Sequence, residues 1–257
     1  EKLRFAFGTA CIPKASGTVG EDAFFASHSI NVFGLADGAG SWASRGVDAG
    51  LFSRAVLSNV LTEATQRANR MLKPDLLATL HNSLQGVLDK NIEGSSTLIL
   101  GHLAGNTLTM LHLGDSGIVV FRPMERISEF LGGQSQIVLH PVYKSAPLIH
   151  RPNMPLQLSS LDETGEDLKG IDLVSVRLRI GDIVVVGCDG LFDNLTDELL
   201  QEFVLDYLEG KASKGSQALS NLAQQVVENA ASTARSPDGK IDDITVIVGE
   251  VLKWVPS

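Results

Sequence analysis

Apolar runs give way to helical periodicity along the first ninety residues of the chain. Three short apolar runs are bounded by Gly, Asn or Ser, which is the pattern of β-strands. Apolar residues then recur at helical spacing through two longer segments, the second opened by Pro74, and this spacing predicts helices. The predicted strands are 5–10, 23–27 and 31–36, and the predicted helices are 47–71 and 74–90.

The rest of the chain adds further strands, two more helices and one segment of different composition. Residues 123–171 contain five prolines, several glycines and an acidic patch, so we expect loops there, or a flap over the body of the protein. The predicted strands are 96–103, 107–113, 117–122, 173–180, 181–189 and 244–251, and the predicted helices are 196–208 and 216–234.

This order of elements indicates the fold class. Consecutive strands joined by tight turns favour antiparallel pairing, and helices that occur in separate pairs favour layers outside the sheets. The sequence therefore predicts an α+β fold, a central sandwich of two mostly antiparallel β-sheets flanked by pairs of helices. We expect residues 1–257 to form one domain.

Composition narrows the function classes. The net charge of −9 argues against a nucleic-acid binder and against attachment to an anionic membrane, and no apolar run is long enough to span a bilayer. Two cysteines without close spacing do not form a disulfide framework. We expect an intracellular monomer, and because the sequence starts at Glu1, we expect that an upstream segment has been removed.

Acidic residues gather at the ends of the predicted strands. In an antiparallel sheet the end of one strand lies beside the start of its neighbour, so acids that end some strands and begin others can share one rim. A simpler interpretation of each Asp-Gly pair is a tight turn. The residues concerned are Glu21, Asp22, Asp37, Asp115, Asp189, Asp242 and Asp243.

A shared rim of carboxylates needs a compensating cation. Oxygen ligands without His or Cys favour Mg²⁺ or Mn²⁺ over Zn²⁺. The six histidines show no metal-ligand spacing, and we expect most of them to be surface or packing residues. Cys188 lies in an apolar strand with no phosphate-binding loop after it, so core packing is favoured over a nucleophilic role. Trp42 and Phe192 are also expected to pack.

Five motifs now form a pattern. "GEDAFF", "GLADGAGSW", "GDSGIVVFR", "CDGLFDNLTDE" and "DDITVIV" occur in this order. Together they resemble the metal-dependent protein phosphatase family, also called protein phosphatase 2C, over about residues 5–251. "GVDAGLFSR" and "PLQL" resemble its compact branch, which includes mitochondrial and plastid enzymes of eukaryotes.

The resemblance implies roles for the main acids. Asp37 would bridge two metal ions, Mn²⁺ or Mg²⁺, and Gly38 would offer its carbonyl to one of them. Asp189 and Asp242 would hold the other ion. These residues would make up the catalytic centre.

Further residues are implied in supporting positions. Glu21 and Asp22 would support the first ion, directly or through water. Asp115 would take part with Asp189 in a third, weaker metal site. Asp243 stands where the family usually has Asn, and we do not expect it to be a ligand.

Two positions depart from the family pattern. Many members have an Arg that binds the substrate phosphate where this chain has Gly17, and a His proposed as general acid where it has Ala39. Lys14 and Arg45 are candidates for binding the phosphate. The general acid is left unassigned.

The activity implied is hydrolysis of phosphoserine and phosphothreonine in phosphorylated protein substrates, by a metal-activated water and without a covalent intermediate, with the segment 123–171 selecting substrates. One alternative is a catalytically silent scaffold, which the two departures motivate. Another is an aspartate-nucleophile phosphohydrolase, suggested by "CDGLFDN", although that class needs its acid pair at an early strand of a parallel sheet.

Overall fold

The computed structural model describes residues 2–128, 134–162, 165–210 and 215–255. Its strands are β1 Leu3–Ile12, β2 Ala23–Ser27, β3 Val32–Ala36, β4 Ser95–Ser96, β5 Leu98–Ala104, β6 Thr107–Leu113, β7 Gly117–Ser128, β8 Gln134–Lys144, β9 Ile149–Arg151, β10 Met154–Pro155, β11 Leu158–Ser159, β12 Asp172–Arg177, β13 Ile183–Gly187 and β14 Ile244–Lys253. Its α-helices are α1 Ala49–Asn69, α2 Leu76–Leu88, α3 Glu166–Lys169, α4 Asp189–Phe192, α5 Asp197–Glu209 and α6 Ser216–Ala234, and Gly40–Arg45 is a 3-10 helix.

Two five-stranded antiparallel sheets form the centre of the molecule. Sheet I has the order β1-β14-β13-β7-β8, and sheet II has the order β12-β6-β5-β3-β2. Side chains from the two sheets meet in one apolar layer that includes Phe5, Phe33, Val120 and Val186. Each fully buried side chain of this size contributes about 1.5–3 kcal/mol, so this layer holds the sheets together.

Helices cover the outer face of each sheet. Helices α1 and α2 pack on sheet II, and α5 and α6 pack on sheet I. Because β3 and β13 are covered on both faces, every residue in them is buried, which explains their uninterrupted apolar runs. Side chains of Asp48, Asp75 and Thr196 accept hydrogen bonds from the first turns of α1, α2 and α5 and set where these helices begin.

The predicted α+β sandwich is confirmed, with four layers in the order helix, sheet, sheet, helix. No helix of the described ranges is long and apolar enough to cross a membrane. Strand β2 has the predicted bounds, and β6 also begins and ends as predicted.

The prediction of loops over 123–171 was wrong for residues 123–128 and 134–144. These residues are strands β7 and β8, which pair at the edge of sheet I. The prolines are tolerated because Pro141 lies in the edge strand at a register shift, and Pro123 lies beyond the last pair between β7 and β13. Short strands and one helical turn follow in 145–171.

Candidate active site

The strand ends that carry the acids meet at one edge of the sandwich. The last pair between β2 and β3 is Ala23 with Ala36, so Asp22 and Asp37 lie next to each other beyond it. From sheet I, Asp189 follows β13, and Asp242 precedes β14. The site is therefore built from both sheets.

A cavity of about 540 Å³ opens at this edge. Five of the predicted acids line it, together with the residues that follow Asp37, two lysines and residues from the segment after β9. The lining residues are Lys14, Glu21, Asp37, Gly38, Ala39, Gly40, Thr97, Asp115, Asn153, Pro155, Gln157, Asp189, Lys240 and Asp242. Asp22 lies behind this wall, where its Oδ2 accepts a hydrogen bond of 2.6 Å from the Thr245 hydroxyl.

Asp37 is at the centre of the acids. Burial and then the nearby carboxylates of Asp22, Asp189 and Asp242 raise its pKa well above the usual value. Burial is the main cause that raises the pKa of Asp22, to about 7. The hydrogen bond from Thr245 lowers this pKa, and the nearby Asp243 carboxylate raises it. Two carboxylates 4 Å apart repel by about 4 kcal/mol at an effective dielectric constant of about 20. A bound cation would offset this repulsion.

Gly38 is required by close packing of the main chain. A Cβ at this position would lie 2.7 Å from the carbonyl oxygen of Glu21 and 3.0 Å from that of Ala49. Gly38 also forms an isolated bridge with Ser96. The main chain at Gly38 is therefore held against three neighbouring segments, with Gly38 at the cavity wall.

Asp243 holds the segment that carries Lys14 and Glu21. Its Oδ1 accepts from the Lys14 N–H at 2.7 Å, and its Oδ2 accepts from the N–H groups of Glu21 at 2.5 Å and Asp22 at 3.4 Å. The side chain is buried and does not line the cavity. Its oxygens are thus used by the main chain, as is consistent with its expected absence from the ligand set.

Lys240 lines the cavity but was not among the site residues predicted from the sequence. Its Nζ lies 2.5 Å from Asp189 Oδ2 and 2.8 Å from Asp193 Oδ2. Burial opposes the charged form, but the hydrogen bonds to these two carboxylates raise the pKa of the Lys240 ammonium. The one available signal was its position two residues before Asp242, which alone does not distinguish it from a surface lysine.

The two candidates for phosphate binding lie in different places. Lys14 lines the cavity, forms an ion pair with Glu21 and lies 3.8 Å from Asp242. Arg45 is exposed on the 3-10 helix and stacks over the ring of Trp42, with its guanidinium carbon 4.8 Å from the ring centre. The structure brings Lys14, but not Arg45, into the cavity.

The oxygen donors fit a hard divalent cation. Within the described ranges, Asp189 Oδ1 is buried and has no hydrogen-bond partner, and the Asp189 carboxyl lies close enough to Asp37 to raise the pKa of Asp37. Burial, and then Asp189, raises the pKa of Asp115 to about 6. In the described ranges, no three His, Cys, Asp or Glu side chains are grouped closely enough to ligate one ion, and Lys14 and Lys240 each engage acids of the cluster.

Cys188 lies beneath the acids as a packing residue. It is fully buried in the apolar layer between the sheets, and burial raises the pKa of its thiol well above the usual value. Its Sγ is within hydrogen-bond distance of the Asp243 carbonyl and the Thr245 N–H. Trp42 is likewise buried, so the packing predictions for both residues are confirmed.

The structural class of the protein is a four-layer α+β sandwich with an acidic, oxygen-lined cavity at one edge. Comparisons with known proteins identify its family. BIPP2C1, a probable protein phosphatase 2C of Oryza sativa subsp. japonica, is 32% identical over 273 residues, covering 98% of this chain and 43% of that protein. The protein phosphatase PTC7 homolog fig of Drosophila virilis is 32% identical over 262 residues, covering 90% and 78%. No family model matches. The chain belongs to the protein phosphatase 2C family.

Solved structures agree on the fold. The photosystem II phosphatase PBCP superposes with a TM-score of 0.72 at 27% identity, covering 96% of this chain and 98% of that one. The catalytic domain of the serine/threonine phosphatase PstP, solved in complex with two manganese ions, gives a TM-score of 0.66 at 20% identity and covers 98% of this chain and all of that one. The chain spans about half the length of the first plant relatives it matches.

Proposed function

We propose that this chain is the catalytic domain of a metal-dependent protein serine/threonine phosphatase. The observation that carries the proposal is the meeting of Glu21, Asp37, Asp115, Asp189 and Asp242, from both sheets, around one cavity in a chain of this family. The whole protein's substrates would be phosphorylated proteins.

Asp37, the Gly38 carbonyl, Asp189 and Asp242 would hold two divalent ions, Mn²⁺ or Mg²⁺, with Glu21 and Asp22 in support. Such ions, when bound, supply Lewis acidity and lower the pKa of water so that it can attack phosphorus. The residues of the chain would position the ions, and Cys188, buried away from the cavity, is not placed to act as a nucleophile.

Lys14 would orient the phosphate of the substrate. Its ammonium reaches the cavity from the loop after β1, and Asp243 fixes the main chain of that loop. Asn153 and Gln157 also line the cavity and would contact the substrate next to the phosphate. They lie within the segment 123–171, which supports a role of its later part in substrate selection.

The test is hydrolysis of a phosphothreonine peptide with Mn²⁺ and with excess chelator. Wild-type protein should turn over only with metal, and Asp37→Asn or Asp189→Asn should lose about 100-fold or more in kcat/KM while the circular dichroism spectrum is unchanged. Asp206→Asn, at an exposed position of α5, is the matched control. Wild-type turnover in Asp37→Asn would contradict the site.

Two further results would favour the alternatives. Failure of the wild-type protein to bind Mn²⁺ would favour a catalytically silent scaffold, and trapping of an aspartyl-phosphate would favour an aspartate-nucleophile phosphohydrolase. The retained acids and their burial support the enzyme, since clustered carboxylates cost stability unless they bind a cation.

We also propose an organelle location, mitochondrial or plastid. The support is the resemblance to the compact branch of the family and the 27% identity to PBCP, a phosphatase named for photosystem II. Fractionation of cells that express the full-length protein tests this, and recovery in the cytosol alone would contradict it.

A further inference from the structure

An ammonium group lies on the side of the cavity where the resemblance implies a third metal ion. That site would use Asp115 and Asp189. In the structure, Lys240 Nζ is hydrogen-bonded to Asp189 at 2.5 Å and to Asp193 at 2.8 Å, and both Lys240 and Asp115 line the same cavity. The carboxylates that would attract another cation already have one from the chain itself.

The main chain around Lys240 is held on both sides by one buried residue. Asn194 Oδ1 accepts from the Lys240 N–H at 3.0 Å, and its Nδ2 donates to the Lys240 carbonyl at 2.8 Å and to the Gly190 carbonyl at 2.9 Å. Asn194 follows directly after Asp193, on the turn that carries Asp189. The ammonium is therefore anchored to the same turn as its two acids.

The Lys240 ammonium and a divalent ion cannot occupy this position at the same time. An ammonium is a donor only, so it repels a cation and competes for the same carboxylate oxygens. The ion pair with Asp189 uses Oδ2, and among the residues that the structure describes the buried Oδ1 of the same carboxylate has no hydrogen-bond partner. Lys240 thus occupies one oxygen of Asp189, and the other oxygen remains available to an ion.

We propose that Lys240 takes the place of a third divalent ion, so that this centre binds two ions and not three. The inference rests on the proposed metal-dependent function. It assigns Lys240 as a positioning residue that holds Asp189, together with Asp193, in the orientation needed for the central pair of ions.

The experiment is a titration of the protein with Mn²⁺, in which binding is monitored by calorimetry and by the electron paramagnetic resonance signal of free Mn²⁺. Wild-type protein should bind two ions per chain. Lys240→Met should bind a third, weaker ion, whereas Lys240→Arg, which keeps the cation, should stay at two. Lys169→Met removes an exposed lysine paired with Glu166 on α3 and is the matched control.

Three ions in the wild-type protein, or two in a folded Lys240→Met variant, would overturn the inference and leave the proposed function standing. No bound Mn²⁺ in the wild-type protein would overturn the metal centre, and the inference with it. If Lys240→Met does not fold, Lys240→Gln removes the charge and keeps a polar end, and the same counts apply.

Discussion

Two buried polar side chains hold the main chain around the cavity, and they differ in charge. Asp243 holds the segment with Lys14 and Glu21 through its carboxylate, whereas Asn194 holds Lys240 through a neutral amide. The carboxylate adds negative charge beneath Asp22, and the amide adds none. Each side has one lysine, Lys14 or Lys240, so the extra carboxylate is the difference, and we expect the side held by Asp243 to depend more strongly on bound cations.

The largest effect on stability is expected for substitution of Asp243, the charged residue of the two. Asp243→Ala leaves the partly buried N–H groups of Lys14 and Glu21 without their acceptor, and a lost acceptor costs about 1–3 kcal/mol for a fully buried group and less for these two. We expect the free energy of unfolding in chelator to fall by about 2–4 kcal/mol, measured by urea denaturation. Asp243→Asn keeps one acceptor and removes the charge near Asp22, so it should cost less. An equal loss in both variants would contradict this account.

A smaller effect on stability is expected for substitution of Asn194, the neutral residue. Asn194→Ala removes three hydrogen bonds to the main chain, but water can reach the exposed Lys240 loop and replace part of them. We expect a loss of about 1–2 kcal/mol in the free energy of unfolding. Asn221→Ala, at an exposed position of α6, is the control. A loss larger than that of Asp243→Ala would reverse the comparison.

The smallest effect is expected in substrate binding. Lys14→Met should raise KM for a phosphopeptide about fivefold with little change in kcat, because an exposed ammonium contributes up to about 1 kcal/mol to an ion pair. Arg45→Met should leave KM unchanged, since Arg45 stacks on Trp42 outside the cavity wall. A rise in KM for Arg45→Met with none for Lys14→Met would assign phosphate binding to the other residue.

The sequence was informative where a single hydrophobic pattern or a single motif determines the structure of a segment. Apolar runs predicted the bounds of β2 and β6, of which β6 is the more deeply buried, and the Asp-Gly motifs predicted acids that share a cavity. The pairing of β7 with β8 was not predictable from proline content, since the prolines are tolerated only at an edge and at a register shift. The contact of Lys240 with Asp189 joins residues 51 positions apart. The expectations of a single domain and of a monomer stay predictions.

Trp42 gives the protein an internal optical probe. The indole N–H donates to the Ser95 hydroxyl at 2.8 Å, the ring is buried on the 3-10 helix just after Gly38, and the arginine stack covers one face. The other tryptophan, Trp254, is exposed near the end of the last strand. Replacement of Trp254 by Phe leaves Trp42 as the single tryptophan of the chain, and its emission, excited selectively over the two tyrosines, reports on the neighbourhood of Asp37, so that ion binding can be followed without a substrate, a label or a coupled assay.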